Sequence, residues 1–185
     1  MGTGTGRADG AFLEPTHHTP LSELTPVKTL EDAFRHTLKD VYYAEKALTK
    51  ALPKMAGAVS NKALKTAIEE HLEETKGQVK TLDQVFKSIG EKAAGEKCDA
   101  IEGLLKEADG IVEEAEGAVA LNAAVLAAAQ AVEHYEIARY GSLREWAKVL
   151  GHDEAHELLS GILDQEKAAN SKLTNLAVNA INKAA

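Results

Sequence analysis

Apolar residues recur every three or four positions through most of this chain, the spacing of one buried face on an α-helix. Four long stretches carry the pattern. The first starts at Thr29, an N-cap by type, with Glu31 and Asp32 placed where acids favour the positive end of the helix dipole. Its stripe is Phe34, Leu38, Val41, Tyr42, Glu45, Leu48 and Leu52. Pro53 is expected to kink this helix rather than end it, because Met55, Ala56 and Val59 continue the spacing. The second helix, capped by Ser60, faces inward through Leu64, Ala67, Ile68, His71, Glu74, Gln78, Leu82, Val85, Phe86 and Ile89, and Gly90 stops it. The third covers 118–149, with Leu121, Leu126, Gln130, Glu133, Ile137, Tyr140 and Leu143 inward and Gly151 closing it. Asp153 caps the fourth, whose stripe is Leu159, Ile162, Glu166, Ala169, Leu173, Leu176 and Ala180.

Only a residue or two separates the first pair, so those helices lie antiparallel. Residues 90–117 are punctuated by five glycines and carry Ile101, Leu104, Leu105, Ile111 and Val112. They read as a crossover bearing one or two short amphipathic helices. The fold class is therefore all-α, a four-helix bundle with a long connection between its second and third helices. Residues 1–26 hold three of the four prolines and no periodicity, and are expected to be a flexible tail ahead of a 27–185 bundle domain. His17 and His18 fall in that tail and are read as incidental.

One feature of the stripes is out of place chemically. Glu45, Glu74, Glu133 and Glu166 each sit mid-helix on a face that is otherwise apolar. Carboxylates seldom enter a dry core without compensation. Each lies about 13 to 16 residues from the start of a helix roughly 45 Å long, so antiparallel packing brings all four to one level. No Lys or Arg shares the stripes beside them. Two divalent ions would balance four carboxylates, and an oxygen-rich set with an imidazole suits iron or manganese.

His71 precedes Glu74 by three residues and points to the same centre, and Glu136 follows Glu133 by three, toward the edge of its stripe. Glu45, His71, Glu74, Glu133, Glu136 and Glu166 are thus the candidate metal ligands, with Glu74 and Glu133 placed to bridge. Tyr42, His134 and Asn170 are candidates for supporting those ligands from behind. Glu70 and Glu73 are assigned to the solvent face, and His36, His152 and His156 lie near helix ends.

Composition narrows the function. The net charge of −8, from 21 basic and 29 acidic side chains with no basic block, opposes nucleic-acid binding. No apolar run approaches the roughly 20 residues a membrane helix needs, and no secretory signal is visible. The expectation is a soluble, cytoplasmic protein. The single cysteine, Cys98, excludes an internal disulfide and reads as a small buried hydrophobe.

Several strings resemble the YciE/YciF family of bacterial stress-associated ferritin-like proteins. They are Tyr43-Ala44-Glu45-Lys46, His71-Leu72-Glu73-Glu74-Thr75, Lys97-Cys98, Val132-Glu133-His134-Tyr135-Glu136 with Tyr140-Gly141, and Glu166-Lys167 with Leu173-Thr174. The resemblance implies a ferritin-like bundle, a homodimer and a candidate di-metal centre. It departs from the wider ferritin and rubrerythrin pattern of two Glu-x-x-His motifs. Here the second helix reads His71-x-x-Glu74, and Ala169 stands three residues after Glu166. These departures point away from a full ferroxidase site and toward a differently tuned centre.

The leading function is a di-iron or di-manganese stress protein that handles an oxidant (O₂ or peroxide) or metal. Peroxidase, catalase-like and ferroxidase chemistry all stay open. The alternative is a non-enzymatic oligomeric scaffold with a vestigial site.

Overall fold

The computed structural model describes residues 26–184, which are helical throughout apart from short connections. The expected tail over 1–26, with His17 and His18, falls almost wholly outside the described residues. Five α-helices follow one another: α1 (Leu30–Ala58), α2 (Lys62–Ser88), α3 (Asp99–Glu114), α4 (Ala118–Leu150) and α5 (Asp153–Leu176). The four expected long helices are α1, α2, α4 and α5, and the crossover carries one short helix, α3.

Local chemistry sets the boundaries. Thr29 and Asp32 form a reciprocal capping box at the start of α1, satisfying two otherwise orphaned amides. The helix runs through Pro53, as expected. Asn61 rather than Ser60 caps α2, its side chain accepting from the Leu64 amide at 3.0 Å. Asp153 lies inside the first turn of α5, and His152 occupies the cap position. Gly90 and Gly151 end α2 and α4 with φ of 73° and 76°, left-handed values that disfavour side chains with a Cβ.

Contacts between side chains fix how the helices run. Tyr42 on α1 stacks edge-on to Phe86 near the end of α2, and Gln78 on α2 reaches Gln165 on α5. Asn122 at the start of α4 bonds the Ser60 amide, while Glu31 at the start of α1 meets His152 beyond the end of α4. Gln130 on α4 bonds Asn170 and Thr174 on α5. The α1–α2, α2–α5, α4–α5 and α1–α4 neighbours are therefore all antiparallel, which the crossover through α3 makes possible. α3 itself lies against α4 and α1.

The interior is divided. One apolar cluster joins Leu48, Leu52, Leu64, Ile68, Ile101, Val125, Leu126 and Leu173. A second, toward the other end, joins Phe34, Leu38, Leu82, Val85, Tyr140, Leu143 and Leu159. Burial of each such large side chain stabilises the fold by about 1.5–3 kcal/mol. Between the clusters every long helix presents polar residues instead: Glu45 on α1, His71, Thr75 and Gln78 on α2, Glu133 and Glu136 on α4, and Glu166 on α5. The polar level anticipated from the stripes is a belt between two hydrophobic cores.

Beyond Leu176 the chain widens into a π-helical turn, Ala177–Ile181. The wider turn shifts the register, so Ala177 and Ile181 are buried and the expected Ala180 faces solvent.

Candidate metal centre

Glu45, Glu133, Glu136 and Glu166 are each 0% exposed, and His71 is 5% exposed. His71, Glu133, Glu136 and Glu166 each offer a ligand atom, all within 4.8 Å of one another. This buried cluster is one that could hold a metal ion. His71 Nδ1 lies 2.9 Å from Glu133 Oε1, and its Nε2 lies 3.8 Å from Glu136 and 4.0 Å from Glu166. Among the described residues it is the only basic group within salt-bridge reach of these carboxylates. One imidazolium cannot balance four carboxylates.

The hydrogen-bond census makes the deficit concrete. Seven buried atoms of this set find no aligned protein partner: Glu45 Oε2, His71 Nε2, both oxygens of Glu133, both of Glu136, and Glu166 Oε2. The close His71–Glu133 approach is an ion-pair contact without hydrogen-bond alignment. Buried polar atoms are nearly always satisfied in folded proteins. Unpartnered donor atoms this close together, most of them carboxylate oxygens, are a set that a metal ion could satisfy.

The same crowding shows in the acidities. Burial, opposed by the Tyr140 hydrogen bond, lifts Glu45 to about 7. Burial and then repulsion from Glu45 and Glu133 lift Glu166 to about 10, against the pull of Gln78. Glu136 is pushed well above the usual carboxylate range by burial and by its three acidic neighbours. For His71, burial is the largest influence and acts downward, but the Glu133 contact and the surrounding carboxylates carry it net upward. Without a cation, this site holds protons.

Two side chains support the carboxylates. Tyr140, fully buried on α4, donates its hydroxyl to Glu45 Oε1. Gln78 donates Nε2 to Glu166 Oε1 at 2.5 Å. Both lay on the inward stripes of the sequence, but nothing in one helix shows which residue of another it will meet.

The remaining expected residues sit elsewhere. Glu74 is exposed, and Thr75 takes the buried position in its place. At about 100° per residue, Glu74 lies about 75° from the centre of the stripe through Leu64, Ile68, His71, Gln78 and Leu82, whereas Thr75 lies about 25° from it. Glu74 nonetheless lines a cavity together with His71 and Glu133. Tyr42 donates to Asp83 at 2.9 Å and leaves Glu45 to Tyr140. His134 is exposed, its Nδ1 2.8 Å from the Gln130 carbonyl of its own helix. Asn170 is half-buried and accepts from Gln130, one turn away from Glu166. Glu136, expected at the edge, is at the heart of the cluster. Cys98 is buried, as expected, 3.1 Å from the Tyr135 hydroxyl. No helix among the described residues is long and apolar enough to cross a membrane.

Comparison with known proteins places this arrangement. Residues 29–185 match the family described as "Domain of unknown function (DUF892)". The chain is 50% identical to Protein YciF of Escherichia coli K12 over 160 residues, which cover 86% of this chain and 96% of that one. The crystal structure of the E. coli stress protein YciF superposes with a TM-score of 0.81 at 50% identity, covering 85% of this chain and 99% of the other. YcfI from Rhodopseudomonas palustris matches with a TM-score of 0.78 at 52% identity, covering 80% and 94%. With the family match running through all five helices and half of the 160 aligned residues identical to YciF, the chain belongs to the DUF892 family of YciF and its relatives.

Proposed function

We propose that the chain is a ferritin-like four-helix protein whose buried belt holds two divalent ions, iron or manganese, for oxidant or metal handling under stress. The observation that carries this reading is the set of seven unpartnered buried atoms on four carboxylates and one histidine. Two divalent ions bring four positive charges to a site whose only basic neighbour among the described residues is His71. The E. coli relative is a stress protein, which supports the physiological setting.

His71, Glu133, Glu136 and Glu166 would hold the ions, with Glu45 completing the set from α1. Bound iron or manganese would supply a redox pair able to pass two electrons to O₂ or peroxide. The protein's own part is positional. Tyr140 and Gln78 fix one oxygen each of Glu45 and Glu166, leaving the second oxygen free to ligate. The two apolar clusters exclude bulk water from the belt on either side, which strengthens every charge interaction within it.

The test is anaerobic loading of the chain with Fe(II), followed by peroxide or O₂ with absorbance recorded in the near ultraviolet. The reading expects protein-dependent oxidation, saturating at a fixed iron-to-chain ratio and lost in Glu133→Ala. Oxidation no faster than free Fe(II) in the same buffer would overturn the redox role.

A further inference from the structure

A cavity of about 110 Å³ runs from the surface to the belt. Its outer lining is Glu70, Glu74, Ala168 and Lys172, all exposed, and its inner lining includes His71 and Glu133, both buried. His71 Nε2 and both Glu133 oxygens have no aligned protein partner, so the cavity ends on unsatisfied ligand atoms. Small side chains keep it open: Ala67, Ala129 and Ala169 stand where larger residues would fill it. Across the mouth, Lys172 on α5 forms an ion pair with Glu70 on α2, with side chains 48% and 53% exposed.

We propose that this cavity is the route by which a divalent cation reaches the belt, with Glu74 as the capture carboxylate and the Lys172–Glu70 pair as a displaceable gate. The inference rests on the metal-binding reading above and adds a path and a control to it. Charge selects the passenger. Glu70, Glu74 and Lys172 leave the mouth net negative, which draws a cation and gives a neutral oxidant no advantage. Glu74 then has a use despite its exposure: it stands one turn from His71 on the same helix, able to pass an ion inward. An arriving cation competes with the Lys172 ammonium for Glu70. Both partners are half in water, where such a pair is weak enough to open readily.

The experiment is stopped-flow loading of the metal-free, full-length chain with Mn(II), the free ion followed by a chelating indicator, with final occupancy measured separately. Lys172→Met removes the competing ammonium and should speed loading about three- to tenfold at low ionic strength. Glu74→Gln and Glu70→Gln should slow it by a similar factor. Ala168→Leu narrows the mouth without changing charge and should also slow it. The charge effects should shrink in about 0.5 M salt, where screening shortens to a few ångströms, and the Ala168→Leu effect should persist. Far-UV circular dichroism checks that each exposed-site variant folds. Wild-type loading with identical rates in all four variants would overturn the route while leaving the metal centre standing. Failure of the wild type to take up Mn(II) at all would overturn both.

Discussion

Replacing Glu166 with glutamine should make the metal-free protein more stable, and the gain should depend on pH. Burial and repulsion from Glu45 and Glu133 raise this carboxyl from 4.5 to about 10. At about pH 7.5 the unfolded chain ionises it, whereas the folded chain holds its proton. Taking up that proton costs about 1.4 kcal/mol for each pH interval of one above the unfolded value, or about 4 kcal/mol in all. Glutamine matches the shape, has no proton to gain and can still accept from Gln78. Its own amide must be buried, which offsets part of the benefit, so the expected gain is about 2–4 kcal/mol. The sign follows from linkage. A raised carboxyl leaves stability intact below its unfolded value and erodes it as pH climbs toward the folded value. Around pH 4.5 the variant should therefore be equal to wild type or up to about 2 kcal/mol less stable, and it should gain steadily on wild type above that pH. Urea unfolding of EDTA-treated protein at about pH 5 and 7.5, followed by far-UV circular dichroism, measures the difference. A variant no more stable than wild type at the higher pH, or a gap that does not widen with pH, would refute the picture of a charge-strained empty site.

The other consequences are as direct. Divalent metal should raise the melting temperature more at about pH 8 than at pH 6, because Glu45 near 7 and Glu166 near 10 must release protons to ligate; differential scanning fluorimetry with Mn(II) reads this. Tyr140→Phe removes the hydroxyl that holds Glu45 and should destabilise the protein by about 1–3 kcal/mol, measured by denaturant unfolding. Gly95→Ala should cost about 1–3 kcal/mol by the same measurement, since a Cβ on this crossover residue would stand 3.1 Å from the Tyr43 Cα of α1.

Much of this arrangement could be read from the chain because helices impose arithmetic on sequence. Counting residues from each helix start put Glu45, Glu133 and Glu166 at one level, and the antiparallel helices bring them there. The structure departs from the expectation where counting is ambiguous or silent. From His71, a step of three gives Glu74 and a step of four gives Thr75; both continue the stripe to Gln78, and only the mean direction of the face separates them. Thr75 sits nearer the centre of that face, and nothing in its chemistry marks it against the glutamate beside it. Contacts between helices carry no such arithmetic. Tyr42 lies one turn from Glu45 on its own helix, yet the hydroxyl that reaches Glu45 comes from Tyr140 across the interface. The shift from Ala180 to Ile181 has a third origin, a π-helical turn that departs from the assumed period.

The central claim is that the belt is a metal centre, and elemental analysis of the full-length chain tests it most directly. The protein would be purified without added metal and quantified per chain, then again after anaerobic Fe(II) or Mn(II) loading and removal of excess ion. The account predicts close to two iron or manganese per chain, falling sharply in Glu133→Ala. A chain that stays empty after loading would contradict it, leaving buried, proton-sharing carboxylates in a structural helical protein.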